Sequence, residues 1–299
     1  MERRDMRVRG VLCVLGAGLF FCSAVAAATA SAARATEEQE RHFNVSGRPV
    51  VTLNNIVNGR IEVKSWKNPE VVVSSSSAPG KVSIETEQVG DRIDINATSL
   101  TESPEPHEVE ANFSLTVPEE TELQLRTQTG LILVEQVSGD MKLQSVAGDI
   151  HLKEVSGYVI VKTASGSLIC TGCTGKLDFN SISGSAQILQ SSPTSLNLMT
   201  TTGNILYDGE FRRMGLYTMN SGRGLVEVRF SRADSFDLKA STYRGTVDNQ
   251  APEVFQPDTH GKHHSLSGMA KALWVTMGQG SARVEVSSYS GTIRIVKRD

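Results

Sequence analysis

Residues Gly130–Gly184 read GLILVEQVSGDMKLQSVAGDIHLKEVSGYVIVKTASGSLICTGCTGKLDFNSISG. Glycine returns at every ninth position, at Gly130, Gly139, Gly148, Gly157, Gly166, Gly175 and Gly184. A constant period of this kind is the mark of a stacked repeat. Two residues past each glycine stand Ile132, Met141, Ile150, Val159, Leu168, Leu177 and Ala186. Four past stand Val134, Leu143, Leu152, Val161, Cys170, Phe179 and Ile188. Seven past stand Val137, Val146, Val155, Ala164, Cys173 and Ile182, until Ser191 breaks the series. Alternate residues of a strand point to one face. Each unit therefore reads as a short strand with a buried face, closed by a glycine turn.

The stronger signature recurs every eighteen residues: Thr127-Gln-Thr-Gly130, Ser145-Val-Ala-Gly148, Thr163-Ala-Ser-Gly166 and Ser181-Ile-Ser-Gly184. It continues less strictly as Thr200-Thr-Thr-Gly203, Met219-Asn-Ser-Gly222, Thr242-Tyr-Arg-Gly245 and Ser288-Tyr-Ser-Gly291. One coil is thus about 18 residues, two strands and two turns, and coils stack at about 4.8 Å per layer. A single coil cannot bury its apolar face, whereas stacked neighbours share a continuous core. Turn glycines are expected to supply positive φ. A helix is excluded, because glycine every nine residues would cost about 1 kcal/mol each and the apolar spacing is two.

The rest of the 299-residue chain fits one β-repeat domain over residues 42–299. Residues 34–41 read as a flexible polar lead. N-terminal strands over 42–126 form an antiparallel cap, with Asn58-Gly59 as a turn and Pro104 and Pro106 in a loop. Regular coils occupy 127–250, a long loop 251–272, and closing strands 273–299 cap the last coil. Only Ser267–Leu273 suggests a helical turn. Aromatics are 5% of the chain, which suits a thin, glycine-cornered β-structure.

Residues 1–33 read as a secretory signal, with Arg3, Arg4, Arg7 and Arg9 ahead of an apolar stretch from Gly10 to Val25. Small-residue cleavage sites follow at Ala28-Thr-Ala30 and Ala30-Ser-Ala32. The stretch is short for a full span, which favours cleavage over a retained anchor. Phe21 before Cys22 argues against a lipoprotein. The expected product is periplasmic or at the cell surface, without stable membrane insertion. The formal charge is −3, and it falls to −5 without residues 1–33, with 26 basic and 31 acidic residues left. That balance argues against a nucleic-acid partner.

The order Phe43-x-Val45, Val51-x-Leu53-x-Asn55, Asn58-Gly59-x-Ile61-x-Val63, Trp66 and Leu115-x-Val117-Pro118, followed by Thr/Ser-x-Ser/Thr-Gly repeats, resembles the putative-adhesin family of bacterial envelope proteins. These are β-strand-repeat proteins of unknown function. The resemblance covers most of residues 43–296. It implies a β-solenoid-like fold and an extracytoplasmic location, and it supplies no catalytic residues.

Four clusters invite chemistry. Cys170-Thr-Gly-Cys173 has redox or zinc spacing, but it falls on a strand and turn in apolar columns. No second cysteine pair follows residue 33. Buried structural cysteines, free or disulfide-bonded, are the simpler reading. His260-Gly-Lys-His263-His264, with Asp258 nearby, reads as a solvated loop before a metal site. Asp140 and Asp149 follow corner glycines, but nine residues apart they belong to opposite corners, and turn-forming acids explain them better than a calcium site or a glycosidase pair. Arg212, Arg213, Arg223, Arg229 and Arg232, interspersed with Phe211, Tyr217 and Phe230, suggest a patch for an acidic polymer, against the plainer reading of a solvated strand face.

No Walker loop, dinucleotide fingerprint or nucleophile elbow is present in the sequence. The expectation is a non-enzymatic exported envelope protein, adhesin-like or scaffolding, with no catalytic residue, metal or cofactor. Its partner would be an envelope protein or polysaccharide laid on an extended β-face. A carbohydrate-active β-helix enzyme and an envelope-stress scaffold are the alternatives.

Overall fold

The protein, a computed structural model, is described over residues 37–101, 109–251 and 271–298. Two twelve-stranded sheets carry the chain. Sheet B holds β8 (Glu122–Thr127), β10 (Met141–Ser145), β12 (Tyr158–Thr163), β14 (Thr174–Ser181), β16 (Ser192–Thr200) and β18 (Leu216–Ser221). Sheet A holds their successors β9 (Leu131–Glu135), β11 (Asp149–Lys153), β13 (Leu168–Thr171), β15 (Ala186–Leu189), β17 (Ile205–Asp208) and β19 (Val226–Phe230). Each strand lies parallel to its equivalent one coil on, so the fold is all-β and solenoid-like. Leu143 pairs with Leu125 and Val161, and Leu152 pairs with Val134 and Cys170. These are eighteen-residue steps. The register lengthens by one at a bulge between Gly175 and Lys176, where Ser192 faces Thr174 but Ser195 faces Lys176.

The alternation dictates the core. Leu125, Leu143, Val161, Phe179 and Leu198 fill the inner face of sheet B, and Val134, Leu152, Cys170, Ile188 and Tyr207 that of sheet A, all buried. These residues belong to the compact unit Ala35–Asp299.

The glycines act mainly through close approach. Gly148, Gly166, Gly184, Gly203 and Gly224 have no left-handed φ, yet a Cβ on any of them would fall under 3.0 Å from the carbonyl of the corner glycine one coil back. Backbone stacked on backbone leaves no room for a side chain. Positive φ, the expected cause, applies at Gly130, Gly139, Gly157 and Gly175. The residue three before the glycine completes the corner. Ser145, Thr163, Ser181, Thr200, Ser221, Thr242 and Ser288 each accept the glycine N–H at 2.7–3.1 Å through the side-chain oxygen. The unit read as Met219-Asn-Ser-Gly222 is therefore built two residues later, on Ser221 and Gly224. Thr163→Val keeps the shape but orphans a buried N–H, and is expected to lower stability by about 1–3 kcal/mol in urea titration. An unchanged midpoint would assign the hydroxyl no structural part.

The ends differ from the regular pattern. At the N-terminal end, β2 (Val50–Asn55) and β3 (Arg60–Trp66) stack directly on β8 and β9. Farther out lie β6 (Arg92–Ser99) and β7 (Ala111–Pro118), and antiparallel β1 (Glu37–Asn44), β4 (Glu70–Ser77) and β5 (Val82–Val89) finish the edges. The stretch read as a lead thus contains the start of β1. Most of β1 is exposed, so backbone pairing places it and no apolar alternation marked it.

At the C-terminal end the chain leaves its sequential order. β20 (Phe236–Thr242) and β21 (Thr246–Asn249) stand one layer beyond a gap. β23 (Ala282–Ser288) and β24 (Thr292–Lys297) fill that gap, pairing with β18 and β19 on one side and β20 and β21 on the other. The final strands are inserted, where a terminal cap was expected. The outermost strand in sheet B is antiparallel β22 (Lys271–Met277), which takes up Lys271–Leu273 of the expected helical turn. Residues 267–270 lie outside the described residues.

Candidate functional site

The two corners of each coil are not equivalent. After β9, β11, β13 and β15, Gln136, Glu154, Gly172 and Gln190 adopt left-handed φ of 58°, 53°, 68° and 48°. The flip turns the next residue inward, so Val137, Val155, Cys173 and Ser191 are buried. After β10, β12, β14, β16 and β18 the hydroxyl turns inward to cap the glycine, and the next residue after β10 and β14 points out. Val146 is 54% and Ile182 63% exposed. The column read seven past each glycine is therefore half core and half surface.

Cys170 and Cys173 form a disulfide inside the first kind of corner, with Cα atoms 6.0 Å apart. Both are buried, and the Cys173 N–H donates to Ser191 Oγ at 2.9 Å. The pair is an internal brace.

Along the outer face of sheet A several charges are paired. Lys64 and Lys153 flank Glu135 at 3.8 and 3.9 Å. Arg229 meets Glu227 at 2.7 Å and Asp208 at 3.4 Å, and the hydrogen bond with Glu227 chiefly raises its pKa. Arg294 reaches Asp248 at 3.2 Å, and Arg298 reaches Asp208 at 2.7 Å. Exposed pairs of this kind add little stability, but they cancel the field a charged ligand would meet.

Sheet B differs. Arg126, Gln144, Lys162 and Asn180 are Cα partners in one row across β8, β10, β12 and β14, spaced at about 4.8 Å. Among the described residues Arg126, Lys142 and Lys162 have no ion-pair partner. The row faces a ledge of Val146, Ala164 and Ile182, whose backbones link by Ala164 N–H to Val146 O and Ile182 N–H to Ala164 O, both at 3.2 Å. Row and ledge enclose a groove of about 410 Å³ running along the stack. The acid on the neighbouring column, Asp178, accepts the Tyr158 hydroxyl at 2.6 Å, which raises the pKa of that phenol.

A second hollow, about 530 Å³, lies on sheet A among β1, β4, β7 and β3, with Glu38, Glu40 and Glu62 in its lining. Two of these acids are engaged. Glu62 pairs with Arg60. Glu40 receives hydrogen bonds from His42 and Ser74, which hold its pKa down. His42 bridges Glu70 and Glu40, each at 2.9 Å, and both contacts raise its pKa, Glu70 first.

The arginine patch is dispersed. Arg229 is paired on sheet A, and Arg223 lies on the ledge corner, beside Gly224. Arg212 and Arg213 stand on loop 209–215 and Arg232 on the adjacent loop 231–235. Phe211, Tyr217 and Phe230 are buried beneath them, so they offer no surface. Asp140 precedes β10 and Asp149 opens β11, in different sheets, and they form no carboxylate pair. His260, His263, His264 and Asp258 lie outside the described residues, as do residues 1–33, read from sequence as a secretory signal. Among the described residues no three or more His, Cys, Asp or Glu are placed to hold a metal ion, and no helix is long and apolar enough to cross a membrane.

Sequence reading missed the row at Arg126 and Lys162. Its signal was present four residues before the corner glycine in alternate units, a position hidden when all nine-residue units are treated as equal.

Several solved structures resemble this chain at low identity. A putative adhesin from Bacteroides fragilis is 7% identical, with a TM-score of 0.38 over 88% of this chain and 98% of its own. A putative adhesin from Parabacteroides merdae is 7% identical, with a TM-score of 0.36 over 88% and 97%. A putative cell adhesion protein from Clostridium sporogenes is 12% identical, with a TM-score of 0.28 over 88% and 100%. At these scores the likeness carries no argument. No curated protein matches the chain. The model of the Toastrack DUF4097 family matches residues 55–296, four-fifths of the sequence, and the chain belongs to that family.

Proposed function

We propose that this chain is an exported, non-enzymatic envelope protein that holds an extended acidic polysaccharide along the groove of sheet B. The observation that carries the reading is the unpaired row of Arg126 and Lys162, separated by amide side chains and set at the coil spacing beside an apolar ledge. A linear polymer meets one side chain per layer, so affinity is spread over several coils. Amides supply hydrogen bonds to sugar hydroxyls, the cations attract carboxylate or sulfate groups, and the ledge packs against the less polar edge of the sugars. The separation of Asp140 from Asp149, and the engagement of Glu40 and Glu62 in internal pairs, support binding over glycoside hydrolysis, which needs two carboxyl groups flanking one bond.

A glycan array probed with residues 35–299, beside a pull-down from envelope fractions, tests the proposal. Saturable, salt-sensitive binding to acidic glycans is expected, and Arg126→Ala with Lys162→Ala should weaken it at least about tenfold at low salt. Turnover of a glycan, or equal binding by the double variant, would overturn it.

A further inference from the structure

From β8 to β20 one corner segment is longer than the rest. Between β17 and β18 the chain inserts the loop 209–215 where the preceding coil turns in two residues. The insertion is rigidly braced. Phe211 sits among Tyr207, Tyr217 and Phe236 at centroid distances of 5.0, 5.0 and 4.6 Å. The Tyr207 hydroxyl donates to Glu210 O at 2.7 Å, and the Arg212 N–H donates to the Tyr217 hydroxyl, also at 2.7 Å. Burial raises the pKa of both phenols above the ordinary value, so they stay neutral.

Above this plug Met214 stands out in left-handed conformation, φ 60°, with its N–H held by Ser281 O at 2.7 Å. Its side chain is 85% exposed and that of Leu216 is 57% exposed. Arg212, Arg213 and Arg232 stand on the same loops, and Arg283 is the cross-strand partner of Leu216. None of these arginines has an ion-pair partner among the described residues, though the Arg212 guanidinium donates to Ser192 O at 3.3 Å and Ser192 Oγ at 3.1 Å. The nearby acids are fewer: exposed Glu210, Asp237 opposite Arg283, and Asp234, which is buried and accepts the N–H groups of Phe211 and Ser231.

A non-glycine residue held at positive φ is uncommon, and here the plug beneath holds it there with a large apolar side chain in water. The loop thus sets two protruding apolar side chains, Met214 and Leu216, beside arginines without ion-pair partners. A bilayer uses both features, because apolar tips enter the acyl boundary while arginines stay at the headgroups. We infer that the loop 209–215 is a docking prong for an anionic lipid surface, with Met214 and Leu216 inserting and Arg212, Arg213, Arg232 and Arg283 facing the headgroups. The chain is acidic overall, −3 by formal count, so the local cluster also orients it, with this corner toward the membrane. The prong is separate from the sheet B groove and stands without it.

Co-sedimentation of residues 35–299 with vesicles of phosphatidylcholine, with and without phosphatidylglycerol, tests this. These residues hold the whole described core and omit the apolar stretch of residues 10–25. Binding is expected only to the anionic vesicles and should fall with salt. Arg213→Ala and Arg232→Ala should each weaken it about fivefold. Met214→Ala with Leu216→Thr should weaken it about tenfold or more while leaving the melting temperature unchanged, since both side chains are exposed. Equal binding to both vesicle types would overturn the proposal. Loss of binding with the arginine variants but none with the Met214 and Leu216 variant would overturn insertion.

Discussion

Leu152→Asp is expected to leave no cooperatively folded population. Leu152 is 1% exposed on the inner face of β11, with Val134 on one side and Cys170 on the other. A carboxylate there loses its hydration and finds no cation, a cost of several kcal/mol on top of the lost apolar contact. The whole stability of a domain is only about 5–15 kcal/mol. Leu152→Ala removes the same contacts without the charge and should cost about 2–5 kcal/mol while retaining the fold. Circular dichroism and urea titration separate the two. An unchanged transition in Leu152→Asp would show that this side chain does not point into the stack.

Gly166→Ala is the second large effect. Gly166 has ordinary φ, so alanine brings no conformational penalty there. Its Cβ would, however, overlap the Gly148 carbonyl of the preceding coil. Both partners are backbone, fixed by the ladder on either side, and neither can move without breaking the stacking. The expected loss is about 3 kcal/mol or more, at the upper end of overpacking costs. Gly90→Ala is the matched control. Gly90 has φ 62° but nothing within 4 Å of its added Cβ, so only the left-handed penalty of about 1–2 kcal/mol applies. If the two variants lost equal stability, the glycine ladder would be conformational in origin and close approach would play no part.

The contrast explains what was readable beforehand. Alternation of Leu143, Leu152 and Val161 with polar neighbours reports burial directly, because a side chain that cannot reach water has to be apolar. The same logic was silent on β1, whose edge pairing rests on backbone hydrogen bonds, which every residue type can make. It was misleading at Val146 and Ile182. These match Val137 and Val155 in residue type, yet a hydroxyl-capped corner turns them out, while a left-handed residue turns the others in. The candidate groove depends on that difference and was not legible from spacing alone. The arginine patch failed similarly. Arg212, Arg213 and Arg232 stand on adjacent loops through packing, whereas Arg229, beside Glu227 on its own strand, has Asp208 within reach only because β17 and β19 are neighbours.

The sequence by itself determined the period, the β character, the two inner columns and the need for glycine at each corner. All of these follow from constraints that act within one coil and repeat. Only the folded chain decided the insertion of β23 and β24 between earlier coils, the lack of ion-pair partners for Arg126 and Lys162 where Arg229 finds Asp208, and the prong above its aromatic plug. Each of these depends on which distant segments become neighbours, and periodicity carries no information about that.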